Sequence, residues 1–269
     1  MTGSPFLLMS QQNDDRKCRN GRADGRLDSI RAYWCADMTA RLGRRRGNLV
    51  VAVALAAATL VAGAATATAE PRAVVELFTS QGCSSCPPAD KLLGELAADP
   101  SIIALSLPVD YWDYLGWKDT LAVSRFTARQ KAYSRVRGDR DLYTPQAIIN
   151  GAVHVNGSDR NAIERAMETT RKAAGVMAVP VAVKLSGGHL NVSVPAAAGH
   201  GEVWICAISR TVPIAIGRGE NSGREIIYHN VVRSLLKVGD WSGAAKSWDV
   251  PLENITRDGI DGAIVYVQY

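Results

Sequence analysis

The sequence lacks the motifs that mark the commonest kinds of enzyme. It has no glycine-rich phosphate loop, no Gly-x-Ser-x-Gly nucleophile elbow and no His-Glu-x-x-His metal pair. It has only four histidines among 269 residues, and none of them is spaced as a local pair that would help to hold zinc. These absences remove support for nucleotide chemistry and for ordinary hydrolysis.

The larger part of the chain also lacks an excess of basic charge. The formal net charge is +5, but ten of the 31 basic residues and only five of the 26 acidic residues lie within residues 1–69. Residues 70–269 therefore carry equal numbers of acidic and basic side chains. Nucleic acids and anionic membranes select a basic face on a folded domain, so we expect neither as a partner of this part.

The first 69 residues have the form of an extension followed by an export signal. Four arginines at positions 41–46 precede an apolar run over residues 49–62, which is shorter than the ~18–20 residues that a membrane span needs. The three residues that end at Ala69 have a small-x-small pattern, which predicts cleavage after Ala69. Met38 is the predicted start. We expect a periplasmic or secreted protein with no membrane attachment once the signal is removed.

Cysteine is scarce after the leader, where only Cys83, Cys86 and Cys206 remain. Cys83 and Cys86 form a Cys-x-x-Cys pair between an apolar strand at residues 74–79 and a predicted helix. Two prolines follow Cys86 directly, as the first turn of a helix tolerates. Because a helix N-terminus favours a thiolate over a thiol, we predict that Cys83 is reactive and that its sulfur meets solvent.

The next elements predict an open α/β sheet around the cysteine pair. The apolar run at residues 102–109 indicates a strand that is covered on both faces and parallel to the first. The cysteines then lie at the carboxyl edge of the sheet, where such sheets bind ligands. A helix is predicted at residues 121–136, and Pro145 opens a β-hairpin whose turn is Asn150-Gly151.

Two loops have more than one interpretation. The aromatic loop at residues 110–117 leaves the same edge of the sheet, and it either packs on its own aromatic rings or forms a wall of a substrate site. The loop at residues 218–224 is polar, and we interpret it as a solvated connection.

From about residue 179 the pattern changes to short alternating strands. These are residues 181–185, 190–194, 203–208, 226–232 and 263–267, and Gly187-Gly188 marks a hairpin between the first two. The pattern predicts a separate antiparallel sheet or small sandwich, joined to the first part near residues 173–175.

Taken together, these elements resemble the thioredoxin fold over roughly residues 72–175. A narrower resemblance covers nearly all of residues 70–269 and is to an uncharacterised family of secreted bacterial proteins. It is carried by ELFTSQGCSSCPPAD at residues 76–90, VDYWD at 109–113 and YHNVVR at 228–233. The resemblance implies an α/β protein with a thioredoxin-like domain at residues 70–175, in which helices flank a mixed sheet. A smaller antiparallel β-rich domain would follow at residues 176–269.

The thioredoxin resemblance also implies a set of site residues. Cys83 would be the attacking thiolate and Cys86 the resolving thiol. Pro145 would be a cis-proline that faces the pair, with Thr144 offering backbone to an extended substrate. Glu76 would be either a buried acid that relays a proton or an ordinary ion-paired carboxylate.

Three interpretations of the cysteine pair stay open at this point. The first is thiol–disulfide exchange with another protein or a small thiol, which needs no cofactor and no bound metal. The second is a permanently oxidised clip on a binding module. Gly82 stands where the resemblance leads one to expect an aromatic residue, and Ser84-Ser85 bring no charge to tune the pair. The third is capture of a soft ion such as Cu(I) by two thiolates.

Overall fold

The computed structural model describes residues 6–8, 71–173 and 175–268. The predicted start at Met38, the apolar run at residues 49–62 and the cleavage after Ala69 lie outside the described residues and stay predictions. None of the helices within the described ranges is both long and apolar enough to cross a membrane.

The described chain forms eleven strands, three α-helices and two short 3₁₀ helices. The strands are β1 Phe6–Leu8, β2 Ala73–Thr79, β3 Ile102–Pro108, β4 Gln146–Ile149, β5 Val153–Asn156, β6 Ala182–Ser186, β7 His189–Val194, β8 Gly201–Ala215, β9 Glu225–Trp241, β10 Lys246–Pro251 and β11 Gly262–Gln268. The α-helices are α1 Pro87–Ala97, α2 Ser124–Arg137 and α3 Arg160–Arg171, and the 3₁₀ helices are Asp113–Leu115 and Leu252–Asn254.

Strands β2 and β3 form the centre of the first half of the molecule. They are parallel and joined through α1, while β4 pairs antiparallel with β2 and β5 antiparallel with β4. Helices α1 and α3 pack on one face, against side chains that include Leu77. Helix α2 packs on the other face, where Phe126 joins a cluster with Phe78. Both strands are therefore buried at every position, which was predicted for β3.

The hairpin turn at Asn150-Gly151 is confirmed, and both residues have positive φ angles of 49° and 64°. Asn150 is fully buried, and its side chain does more than form the turn. It accepts a hydrogen bond from Val74 N at 2.7 Å and donates one to Thr170 Oγ1 at 2.8 Å. The turn thus connects the start of β2 to α3.

Strands β8, β9 and β11 do not form a separate sheet, contrary to our expectation. Strand β9 pairs in parallel with β3 at Ser106 and Val231, β8 pairs with β9, and β11 pairs with β8. The main sheet therefore has the order β1-β11-β8-β9-β3-β2-β4-β5. Only β10, β7 and β6 form a smaller antiparallel sheet. The domain boundary between residues 175 and 176 stays a prediction, although one sheet contains strands from both sides of it.

The stretch at residues 228–233 holds β9 against the first half. Tyr228 is buried beside α1. His229 lies so close to Gly94 of α1 that a Cβ there would be 2.5 Å from the imidazole ring. Asn230 donates a hydrogen bond to Ala104 O of β3 at 3.0 Å. The three side chains therefore connect β9 to α1 and β3.

Candidate functional site at the Cys83–Cys86 disulfide

Cys83 and Cys86 form a disulfide at the N-terminus of α1, with their Cα atoms 5.4 Å apart. Cys86 is the N-cap residue of the helix, and Pro87 and Pro88 occupy its first turn. Ala89 N and Asp90 N both donate to Cys86 O, at 2.9 and 3.0 Å. The predicted position of the pair at the mouth of a helix is confirmed, while the reactivity of Cys83 stays a prediction.

The Thr144-Pro145 loop lies beside the disulfide, and its peptide bond is cis. Ser85 Oγ lies 3.5 Å from both Cys83 Sγ and Thr144 O, and so stands between them. A Cβ built on Gly157 would lie 3.2 Å from Pro145 Cβ and 3.3 Å from Ala89 Cβ, so the proline also adjoins α1. The structure thus brings together four residues predicted for the site, Cys83, Cys86, Thr144 and Pro145.

The disulfide is less accessible than predicted. We expected the Cys83 sulfur to meet solvent, but Cys83 is only 3% exposed and Cys86 is fully buried. The intervening Ser84 and Ser85 are exposed. The pair therefore lies just beneath a polar surface, and not at it.

The aromatic loop at residues 110–117 explains part of this burial. Trp112 donates from Nε1 to Thr144 Oγ1 at 2.7 Å, which connects the loop to the cis-proline loop. Trp112 also packs so closely on Gly82 that a Cβ there would lie 3.1 Å from Trp112 Cβ. Tyr114 stacks on Trp112 and is 76% exposed. The loop packs on its own rings and also borders the disulfide, and that it forms a wall for a substrate stays a prediction. The glycine at position 82 is explained by this close approach.

Asp119 binds three backbone N–H groups near the segment that joins the aromatic loop to α2. Its carboxylate accepts hydrogen bonds from the backbone N–H groups of Gln81, Leu121 and Ala122, at 2.8, 2.8 and 3.1 Å. Helix α2 begins at Ser124, after these residues, and not at about residue 121 as predicted. Burial raises the pKa of Asp119.

Glu76 lies on the other face of the sheet, among residues that pack against α2. It is 2% exposed, and Arg129 Nη2 donates to Glu76 Oε1 at 2.8 Å. The hydroxyl of Tyr133 donates to Glu76 Oε2 at 2.5 Å. Of the two interpretations of Glu76, the structure supports the ordinary ion-paired carboxylate.

Asp90 is the buried acid next to the cysteine pair, and sequence reasoning missed it. It lies one helical turn after Cys86, is 2% exposed, and has neither carboxylate oxygen hydrogen-bonded to any of the described residues. Burial raises the pKa of Asp90 to about 8, an effect that the nearby Thr79 hydroxyl only partly offsets and that the charge of Asp119 increases. A carboxylate four residues after the second cysteine of the motif is the signal that would have identified it.

The loop at residues 218–224 is not simply a solvated connection. Its Asn221 is fully buried, and Nδ2 donates to Gln81 O at 2.9 Å and to Cys83 O at 2.8 Å. Nothing in the sequence pattern relates residue 221 to a loop 138 residues earlier. This contact is visible only in the folded chain.

Two other features lie apart from the disulfide. A cavity of about 820 Å³ is lined by side chains of α2 and residues of β8, β9 and β11, on the face where Glu76 lies. Within the described part of the chain, one group of three potential metal ligands was found: Asp139, Asp141 and His154, with ligand atoms within 4.8 Å of one another. Arg137 already pairs with Asp139, and neither cysteine of the pair belongs to the group.

The fold and the site together define a class: a mixed α/β protein with a Cys-x-x-Cys disulfide at a helix N-terminus, beside a cis-proline loop. The chain belongs to the family described as "Protein of unknown function (DUF1223)", whose model matches residues 74–268. This confirms the predicted membership of an uncharacterised family.

Two solved structures are similar to this chain. One is the crystal structure of a protein from Agrobacterium tumefaciens, which is 31% identical, with a TM-score of 0.64 over 73% of this chain and 94% of that one. The other is HBP35 of Porphyromonas gingivalis, which is 12% identical over 73% of this chain and 74% of that one. Its TM-score of 0.40 carries no structural argument. No curated protein matches the chain.

Proposed function

We propose that this protein exchanges disulfides with a protein or a small thiol through Cys83 and Cys86, and that residues 70–175 form a thioredoxin-like unit. The observation that carries the proposal is the position of the disulfide at the N-terminus of α1 and beside the cis Thr144-Pro145 loop. We also propose that the protein is exported, because disulfides form and persist in oxidising compartments.

The strand order supports the thioredoxin-like part of the proposal. Strands β3, β2, β4 and β5 are neighbours in that order, with the first two parallel and joined through α1. Strand β4 follows the cis-proline directly and runs antiparallel to β2. Both cysteines and the proline therefore meet at one edge of one sheet.

The exchange step transfers two electrons. In the dithiol form, the Cys83 thiolate attacks one sulfur of a partner disulfide, forms a mixed disulfide and expels the first partner thiolate, which takes up a proton. The Cys86 thiol then loses its proton and attacks Cys83 Sγ. The Cys83–Cys86 disulfide forms again, and the second partner thiolate leaves and is protonated. The partner disulfide is reduced and the cysteine pair is oxidised, and the reverse sequence oxidises a partner dithiol.

Asp90 is placed to handle the proton of Cys86 in this sequence. It follows Cys86 by one helical turn on α1, and its backbone N–H donates to Cys86 O at 3.0 Å. Its raised pKa of about 8 is close to neutral pH, where a group can both accept and return a proton. We assign this role to Asp90 and not to Glu76, because Arg129 and Tyr133 already bind the Glu76 carboxylate.

A mixed disulfide with glutathione tests the proposal. In the Cys86→Ser variant the resolving thiol is absent, so oxidised glutathione should leave one stable adduct on Cys83, visible in the intact mass. The matched Cys83→Ser variant should gain no adduct, because Cys86 is fully buried. Cys206 is buried in both variants and serves as the internal background. Equal labelling of the two variants, or none, would contradict the assigned roles.

A second candidate function is supported by the burial of the pair. A disulfide that is 3% exposed at Cys83 and fully buried at Cys86 also suits a permanent clip in a secreted binding module. Under this alternative neither variant forms an adduct while the protein is folded. Unfolding in urea should then expose the remaining cysteine equally in both variants.

A further inference from the structure

Three loops meet at the disulfide: the aromatic loop, the Thr144-Pro145 loop and a loop from the second half of the chain. The hairpin tip, residues 216–224, joins β8 to β9 and inserts Asn221 behind the Cys83–Cys86 turn. The Asn221 side chain is fully buried, and its Nδ2 donates to two backbone carbonyls in the buried part of the cysteine loop, Gln81 O at 2.9 Å and Cys83 O at 2.8 Å. Cys83 O also accepts from Cys86 N at 3.2 Å. Asn221 therefore binds the peptide that closes the turn between the two sulfurs.

Backbone hydrogen bonds within the hairpin tip and a contact with Trp117 restrain the position of Asn221. Gly223 N donates to Ile216 O at 2.8 Å, and Ile216 N donates to Arg224 O at 2.9 Å. A Cβ on Gly217 would lie 3.2 Å from the ring of Trp117, and Trp117 Nε1 donates to Gln81 Oε1 at 2.7 Å. The tip and the cysteine loop are thus joined through both Asn221 and Trp117.

This arrangement has a consequence for the redox equilibrium. The disulfide form requires the two sulfurs to stay together, while the dithiol form does not. A donor that fixes the Cys83 carbonyl keeps Cys83 close to Cys86 and raises the effective concentration of one thiol at the other. The two hydrogen bonds of Asn221 should therefore stabilise the disulfide relative to the dithiol.

We propose that Asn221 is a positioning residue for the exchange reaction, through which the β8–β9 hairpin sets the redox equilibrium of the Cys83–Cys86 pair. This inference rests on the proposed function, but the effect of Asn221 on the disulfide–dithiol equilibrium can be measured whether or not the pair is an exchanger. A dithiothreitol buffer reduces even a structural disulfide, whereas equilibration with glutathione asks whether the pair is an exchanger.

The first test compares variants in buffers of oxidised and reduced dithiothreitol. Asn221→Ala and the milder Asn221→Ser should favour the dithiol form about tenfold relative to the wild type, which corresponds to about 30 mV for a two-electron couple. Ser222→Ala is the matched control, because Ser222 lies in the same tip but its hydroxyl donates only to Gly217 O. An Asn221 variant with the wild-type equilibrium would overturn the proposal.

The second test needs no variant and so does not depend on how the variants fold. If the Asn221 hydrogen bonds favour the disulfide, reduction must weaken those bonds by the same factor. Residues 216–224 of the wild type should then exchange amide hydrogen faster in the reduced form, while the distant β6–β7 turn at Gly187-Gly188 should not change. Equal protection of the tip in both forms would contradict the proposal, whatever the glutathione experiment shows.

Discussion

Glu76 and Asp90 are both buried carboxylates, but they differ in their hydrogen-bond partners and in the face of the sheet on which they lie. These differences indicate which of them belongs to the disulfide site. Glu76 is bound by Arg129 and Tyr133 on the α2 side of the sheet. Asp90 lies on α1, one turn from Cys86, and makes no hydrogen bond within the described chain through either carboxylate oxygen. Removing one partner of a buried ion pair destabilises the fold, whereas burial of a carboxyl without a partner favours its protonated form.

Replacing Glu76 by glutamine should weaken the fold without changing the chemistry of the pair. The substitution leaves the largely buried Arg129 guanidinium without its carboxylate, so we expect the free energy of unfolding to fall by roughly 3 kcal/mol. Urea unfolding measures this loss. The dithiothreitol equilibrium of the folded Glu76→Gln variant should equal that of the wild type, and a shift would return Glu76 to the redox site.

Replacing Asp90 by asparagine should change how stability depends on pH. Because burial raises the Asp90 pKa to about 8 in the folded chain, the native state holds a proton that the unfolded state releases near pH 4. The stability that this proton provides is complete below about pH 4 and is lost as the pH rises towards 8. Wild-type stability should therefore fall over that window, by up to about 5 kcal/mol.

Urea unfolding of the wild type and Asp90→Asn at pH 5 and pH 9 checks this expectation. The variant cannot ionise, so its free energy of unfolding should change much less between the two pH values. Parallel falls in both proteins would mean that Asp90 is not the group responsible.

At the scale of single elements, the aromatic loop limits access to the sulfurs. Trp112→Phe keeps an aromatic ring but removes the hydrogen bond from Nε1 to Thr144 Oγ1. We expect the loop to open more often and limiting dithiothreitol to reduce the disulfide several-fold faster, as measured by thiol trapping over time. The control is Tyr114→Phe, because Tyr114 is 76% exposed. Identical rates in the two variants would show that the loop does not control access.

Local patterns were sufficient to predict the elements of the first half, because each has a local cause. Two prolines after Cys86 open α1, and Asn150-Gly151 has the positive φ angles that its turn requires. The long apolar runs are strands covered on both faces. The position of the cysteine pair at the mouth of the helix followed from these elements alone.

The long-range contacts could not be predicted in the same way. The alternating pattern of β8 and β9 suits a separate sandwich as well as it suits an extension of the first sheet. What decides between them is one parallel pairing, Ser106 with Val231, between residues far apart in sequence. The contact from Asn221 likewise joins residues far apart in sequence, and the predicted exposure of the Cys83 sulfur was wrong.

At the scale of the whole molecule, the two halves share the main sheet and a large buried cluster. Phe78 and Tyr133 of the first half belong to the same buried cluster as Ile208 and Tyr266 of the second. Arg129 also donates to Gln268 Oε1 of β11 at 3.0 Å. The second half therefore completes the core of the first.

We predict that residues 70–175 do not fold alone. Without β9, the edge of β3 and the apolar side chains that face the second half would be exposed to water. Circular dichroism and urea unfolding should show no cooperative transition for this segment, while residues 70–269 should unfold cooperatively. A cooperative transition for residues 70–175 would mean that the predicted domain boundary also separates independent folding units.

Disulfide exchange by Cys83 and Cys86 is tested most directly by a redox titration of the wild-type protein with glutathione, followed by rapid thiol trapping and mass analysis of the Cys83–Cys86 peptide. We predict a reversible conversion of disulfide to dithiol within the range of glutathione ratios, with Cys83 as the sulfur that carries any glutathione adduct. A pair that stays oxidised at every ratio while the protein remains folded would contradict it.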